Sequence, residues 1–187
     1  MTRIVRLLAF LAVIIFSGCA HYSLIEPKTY VIADVYSIEP QIAWSSSVRG
    51  KFENWTVDGP SLQTILFVKG LEDEESIFPP KGEKEPPKFK SYMRANEVME
   101  FILDSWRYSG MVQVKATNLR PIQFGKAPGY RFEYTYVSKN GLEMEGLAIG
   151  AVLHERLYLI IYEGARQYYF QKHKLDVEKI IDSVSLL

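Results

Sequence analysis

Residues Gly129–Glu163 read GYRFEYTYVSKNGLEMEGLAIGAVLHERLYLIIYE, three runs of strand-forming residues separated by two short polar breaks. Successive side chains of a strand point to opposite faces. The first run therefore sets Tyr130, Phe132, Tyr134 and Tyr136 against Arg131, Glu133, Thr135 and Val137. The second sets Gly146, Ala148 and Gly150 against Leu147, Ile149, Ala151 and Leu153. The third, Leu157–Tyr162, shows no solvated face, which predicts a central strand covered on both sides. Asn140-Gly141 predicts a two-residue type I′ hairpin turn, and His154-Glu155 makes the second break. The small Gly146/Ala148/Gly150 face predicts the close approach of a helix.

Helical patterns lie on either side of this meander. In Ala95–Ser109, Val98, Met99, Ile102, Leu103 and Trp106 recur at three-to-four spacing, with Asn96 as the expected N-cap and Gly110 as the stop. After the meander, Val177, Ile180, Ile181 and Val184 form the apolar stripe of a C-terminal amphipathic helix. Met111–Thr117 reads as a half-buried strand, and Asn118–Pro128, with its two prolines, as a loop. Nearer the N-terminus, Thr29–Ile38 reads as an edge strand, Ser45–Ser47 as a turn, and Val48–Val57 and Leu62–Lys69 as strands. The expected fold class is α+β: a twisted antiparallel sheet with helices on both faces.

The 187 residues suffice for one domain of about 150 residues with a proper core. Lys+Arg and Asp+Glu both number 22, so the net charge is zero. That balance disfavours a nucleic-acid partner, which calls for a basic patch. Twelve tyrosines and ten phenylalanines suit a β-rich chain. A single cysteine excludes an intramolecular disulfide.

The position of that cysteine is informative. Arg3 and Arg6 precede an apolar run, Leu7–Phe16, followed by Ser17-Gly18-Cys19. The run is too short for a spanning helix, which needs about twenty residues, and has the length of a signal-peptide core. The segment resembles a bacterial lipoprotein signal with its lipobox, with Phe16 where leucine is usual. The resemblance implies diacylglycerol transfer to Cys19, cleavage after Gly18 and N-acylation of the new terminus. More than one acyl chain gives stable anchoring, since each buried methylene adds about 0.8 kcal/mol. Ala20 in place of aspartate implies sorting to the outer membrane. Residues 1–18 are thus read as signal peptide, 19–29 as a lipidated tether and 30–187 as a single globular domain.

Gly70–Lys90 combines the acidic run Glu72–Glu75 with two Pro-Pro pairs, which predicts a long solvated loop. Its four carboxylates lack the loop pattern of a calcium site. His21, His154 and His173 have no partner at metal-ligand spacing and are expected to be exposed. Glu143 and Glu145 share one strand face, the pattern of an exposed edge more than of a catalytic dyad. No nucleophile elbow and no phosphate loop is present. The candidate site residues are accordingly Cys19 for lipidation and the Gly18–Cys19 bond for cleavage. No catalytic residue, metal ligand or cofactor is assigned.

From Tyr92 onward the order is helix, strand, Gly129-Tyr-Arg-Phe-Glu-Tyr134, hairpin, two strands and a helix ending in Ile180-Ile-Asp-Ser-Val184. This order resembles the fold family of the photosystem II extrinsic protein PsbP, shared by a Ran-binding nuclear import factor and by small bacterial lipoproteins. The resemblance implies an antiparallel sheet between helices and a role in binding or assembly. It carries no manganese, calcium or Ran-binding residue onto a position of this chain. The functional expectation is a membrane-anchored, periplasmic, non-enzymatic binding or assembly factor of the cell envelope. Its expected partners are the membrane, through its lipid, and an envelope protein. The alternative is a carrier or sensor of a small apolar ligand, held between sheet and helix by Tyr130, Phe132, Tyr134 or Trp106 and revealed by a cavity there. A hydrolase with dispersed catalytic residues is the third reading.

Overall fold

The third run of the meander becomes the middle of the sheet. A computed structural model describes residues 22–187, so Gly18, Cys19 and His21 lie outside the described residues. In chain order the strands are β1 (Ser23–Ile25), β2 (Tyr30–Ile32), β3 (Tyr36–Ile38), β4 (Trp44–Arg49), β5 (Phe52–Thr56) and β6 (Gln63–Leu71). Helix α1 (Ala95–Ser109) follows, then β7 (Val112–Phe124), β8 (Ala127–Val137), β9 (Glu143–Leu153), β10 (Arg156–Ala165), helix α2 (Tyr169–Asp182) and β11 (Ser185–Leu186). Eight strands pair in the order β1-β4-β5-β6-β10-β9-β8-β7, each neighbour antiparallel. Strands β11-β3-β2 form a second, small sheet. Every side chain from Leu157 to Tyr162 is buried, and β10 pairs with both β9 and β6.

The two turns of the meander exchange the expected geometries. Gly141 has φ 79° but Asn140 is not left-handed, and Ser138 N–H bonds Leu142 O at 2.9 Å. This leaves a three-residue loop ending in a left-handed glycine, the bulged hairpin form, in place of a two-residue turn. The type I′ pair is instead His154-Glu155, with φ 48° and 63°, between the register partners Leu153 and Arg156. The small face of β9 does not receive helix backbone. Tyr134 pairs with Gly146 and Tyr130 with Gly150, and a Cβ on Gly146 would stand 2.2 Å from the Tyr134 ring. Gly146 makes room for the Tyr134 ring, whereas a Cβ on Gly150 would meet Tyr158 O at 2.4 Å and Leu159 at 2.5 Å on β10 before the Tyr130 hydroxyl at 3.2 Å.

Buried alternation divides the core. Leu157, Leu159 and Ile161 pack with Val98, Ile102 and Trp106 of α1, whereas Tyr158, Ile160 and Tyr162 pack with Phe170, Val177 and Ile180 of α2. Neither helix completes its layer. Ile32, Tyr36 and Ile38 of the small sheet join the α2 side, and Ile77 and Phe89 of the proline-rich segment join the α1 side. Helix α1 has the expected bounds, but its N-cap is Arg94, whose backbone N–H bonds the Glu97 carboxylate at 2.8 Å; Asn96 lies inside the helix. Gly110 closes it at φ 105°.

Several expected loops are strands. Asn118–Phe124 extends β7, and Pro121 is tolerated because β7 is the sheet edge, where a missing N–H costs no ladder bond. Ser45–Ser47 is the middle of β4, and Arg49-Gly50-Lys51 divides the expected Val48–Val57 strand into a hairpin. Thr29–Ile38 is two strands folded about Ala33 and Asp34, both left-handed. Part of the expected 19–29 tether is also ordered: Ser23–Ile25 pairs with Trp44–Ser46, and Ile25 is buried.

Candidate functional site

Strand register decides which side chains are left uncovered. Ser47 pairs with Asn54 and Asn54 with Leu66, so these three form a row across β4, β5 and β6. Their neighbours Ser46, Trp55 and Ile65 point the other way and are buried. Helix α1 packs over the β7–β8 end of the sheet and does not reach this row. The result is an open groove of about 1240 Å³. Its floor is Ser47, Phe52, Asn54 and Leu66; Tyr22 lies at one end; Ile77–Pro80 and Pro86 form the facing wall.

That wall is Gly70–Lys90, irregular and exposed over 72–74 and 79–85 as expected, but anchored to the domain. Ile77 and Phe89 are buried, and the Phe78 ring packs 5.5 Å from Trp106. The Tyr108 hydroxyl donates to Pro79 O (3.2 Å) and Lys84 O (2.9 Å). Lys81 Nζ donates to the Tyr108 and Ser109 carbonyls, both at 3.1 Å, meeting the negative end of α1 with a cation. The acidic run is internally neutralised. Lys51 bridges Glu72 (3.2 Å) and Glu75 (2.6 Å), Arg156 holds Glu72 (3.1 Å), and Lys90 holds Glu74. Asp73 accepts the Ser91 N–H, which lowers its carboxyl pKa. Burial raises the Glu75 carboxyl, but Lys51 and the Glu72 N–H more than offset this and hold it below its ordinary value.

Three further polar groups sit at the packed core, Glu53 and His173 buried and Glu163 half-buried. Glu163 accepts from Trp106 Nε1 and from the Tyr134 hydroxyl at 2.6 Å. Burial pushes its carboxyl up, and the two donors offset this only in part. Glu53, 2% exposed, takes Trp55 Nε1 (2.8 Å), the Tyr30 hydroxyl (2.9 Å) and Ser46 Oγ (3.1 Å) on one oxygen and Lys69 Nζ (3.2 Å) on the other. Burial raises this carboxyl too, but Trp55, Tyr30 and Lys69 hold it below its ordinary value. Burial and Glu53 push the Tyr30 hydroxyl up to about 12. His173 is not exposed as expected: it is 5% exposed, its Nε2 is 2.7 Å from Asp58, and its ring lies 5.9 Å from Trp44. Lys172, adjacent in sequence, reaches the other Asp58 oxygen at 2.7 Å, so the pair ties α2 to the β5–β6 turn. That contact links residues 58 and 173 and leaves no mark in local spacing.

The aromatic set expected to line a ligand cavity does not do so. Tyr130, Phe132, Tyr134 and Trp106 are buried in the α1-side cluster, the Tyr134 ring filling the space over Gly146. Glu143 and Glu145 both face Arg166, at 3.5 and 3.2 Å, so they form a surface ion-pair set. His154 is exposed in its turn. Among the described residues no cluster of three potential metal ligands occurs, and no helix is long and apolar enough to cross a membrane. The groove residues Phe52, Leu66 and Phe78 were not distinguishable in sequence, because each reads as an ordinary core residue. Their partial exposure follows from where α1 ends.

No protein-family model and no curated protein matches the chain. Solved structures do. The cyanobacterial PsbP (CyanoP) from Synechocystis sp. PCC 6803 is similar over 92% of this chain and 96% of its own, with 13% identity and a TM-score of 0.58. LpqN, described as involved in cell envelope biogenesis of Mycobacterium tuberculosis, is matched over 91% of this chain and 87% of its own, with 10% identity and a TM-score of 0.43. At 13% identity the likeness to CyanoP speaks for architecture alone. The chain has a PsbP-like fold, mostly antiparallel sheet with two helices among the described residues.

Proposed function

We propose that this chain is a lipid-anchored, non-enzymatic binding or assembly factor of the cell envelope that holds its partner in the groove floored by Phe52 and Leu66. On this reading the Gly18–Cys19 bond is cleaved, Cys19 carries the lipid, and the domain faces the periplasm, from the outer membrane. The observation that carries the reading is the groove: a cavity of about 1240 Å³ with Phe52 and Leu66 in its floor and an anchored proline wall. Among its lining charges Lys51 pairs with Glu75 and Lys90 holds Glu74, and the core carboxylates Glu53 and Glu163 are not among its lining residues. Such a surface suits holding a ligand. The carrier reading survives only if its ligand occupies this groove, since the Tyr134–Trp106 region is filled.

The test is crosslinking in the envelope of cells making the lipidated protein, followed by pull-down and mass spectrometry. A Leu66→Glu variant and a Cys19→Ala variant serve as controls. One dominant envelope component, lost in both variants, supports an anchored binding factor. A component retained by Leu66→Glu refutes the groove as its site.

A further inference from the structure

We infer that the groove takes an acyl chain of an anionic phospholipid, drawn from the leaflet that carries the protein's own anchor. The inference rests on the anchored reading above and adds the class of ligand.

Position supports it first. Tyr22 lines the groove, and β1, which follows directly, lies along β4. Cys19 precedes Tyr22 by three residues, and an extended chain spans at most about 3.6 Å per residue. A lipid on Cys19 therefore keeps this end of the groove within roughly 11 Å of its attachment point. On the same face, Leu24 of β1 is 68% exposed, apolar surface suited to the edge of a bilayer.

The chemistry of the lining favours a hydrocarbon chain over a peptide. An extended peptide gains its affinity largely from main-chain hydrogen bonds to a sheet edge. Here the floor is the face of β4, β5 and β6, whose backbone groups are engaged in pairing with one another. Pro79, Pro80 and Pro86 in the wall have no N–H to offer. Phe52, Leu66, Ile77 and Phe78 present hydrocarbon on both sides. The volume exceeds the upper range of about 1000 Å³ for small-molecule pockets, which suits a long ligand.

Charge selects the headgroup. Lys51 is taken up by Glu72 and Glu75, and Glu74 by Lys90. Arg49 and Lys88 also line the groove, and neither has an ion-pair partner among the described residues. Glu85 is the single lining carboxylate without one. Two uncommitted cations against one carboxylate favour an anionic headgroup at the rim.

The experiment places the photoreactive residue benzoylphenylalanine at Leu66 of the full, lipidated chain, and in a second protein at Tyr168, an exposed residue of the α2 side. Both are reconstituted into vesicles of phosphatidylcholine with or without phosphatidylglycerol, irradiated, and weighed by intact mass spectrometry. Matching thermal unfolding curves establish that both proteins are folded. The expected result is a phosphatidylglycerol adduct at position 66 and not at 168. Arg49→Gln and Lys88→Gln should each lower its yield about fivefold, since a cation near an anionic surface contributes about 1 kcal/mol. Equal adducts at 66 and 168, capture of the protein's own acyl chain, or no lipid adduct would overturn the inference. Repeating the crosslink in cells separates it from the broader reading: a protein adduct at 66 in place of lipid overturns the lipid assignment and keeps the binding factor. No adduct of any kind at 66 in cells overturns both.

Discussion

Removing the Tyr134 hydroxyl should destabilise the protein by an amount that depends on pH. The Tyr134→Phe substitution keeps the ring that fills the space over Gly146 and deletes one of the two donors to Glu163. A hydrogen bond to a charged group contributes about 1.5–3 kcal/mol, and one to a neutral group about 0.5–1.5 kcal/mol. Burial raises the Glu163 pKa above its unfolded value, so the folded state binds this proton more tightly. The stability this contributes is full below the unfolded glutamate pKa, about 4.3, and is lost as pH rises through the folded one. Above the folded pKa, where the carboxylate is ionised, Tyr134→Phe should cost about 2–3 kcal/mol; near pH 4, with Glu163 protonated, about 1 kcal/mol. Urea unfolding followed by tryptophan fluorescence, at both pH values for both proteins, reads the difference directly. Groups unaffected by the substitution cancel in the comparison. An equal cost at the two pH values, or a larger one at pH 4, would refute an ionisable carboxylate whose charge the tyrosine supports.

Four further outcomes follow from the packing. Lys69→Met leaves the 2%-exposed Glu53 without its cation and should cost about 3–5 kcal/mol by urea unfolding at neutral pH. Because Glu53 is held below its unfolded pKa, its contribution is present above about pH 4.3 and lost as pH falls through the lower folded value, so Glu53→Gln should flatten stability across that acid window. Gly146→Ala drives a Cβ into the Tyr134 ring and should cost about 1–3 kcal/mol, with a smaller penalty in the Tyr134→Ala background, where the space is free. Lys81→Met removes the cation from the Tyr108 and Ser109 carbonyls and should speed amide exchange across 78–86 while leaving β10 protected.

The parts of the fold legible in sequence were those written in local periodicity. The apolar run Leu157–Tyr162 marked the central strand because a strand with neighbours on both edges and layers on both faces has no position for a polar side chain. The bounds of α1 were legible for the same reason, with Gly110 free to adopt φ 105°. Local readings failed where a distant partner overruled them. Ser45–Ser47 has turn composition, yet its backbone pairs with β1 and β5. Pro121 suggested a loop, yet the sheet order puts β7 at an edge. The Pro-Pro segment suggested solvent, and residues 79–85 are exposed, yet Ile77 and Phe89 on either side pin it to the core. Glycines on β9 were read as space for a helix, and cross-strand register gave the space over Gly146 to Tyr134.

The sequence by itself determined an α+β meander with two amphipathic helices, since these depend only on residues close together along the chain. The tertiary structure alone decided the rest. The groove exists because α1 stops short of the Ser47–Asn54–Leu66 row, and the Glu163, Glu53 and His173 clusters join residues far apart in sequence. Which polar atoms meet, and which apolar face stays open, depends on strand order and register, and these are settled by the packing of the whole sheet.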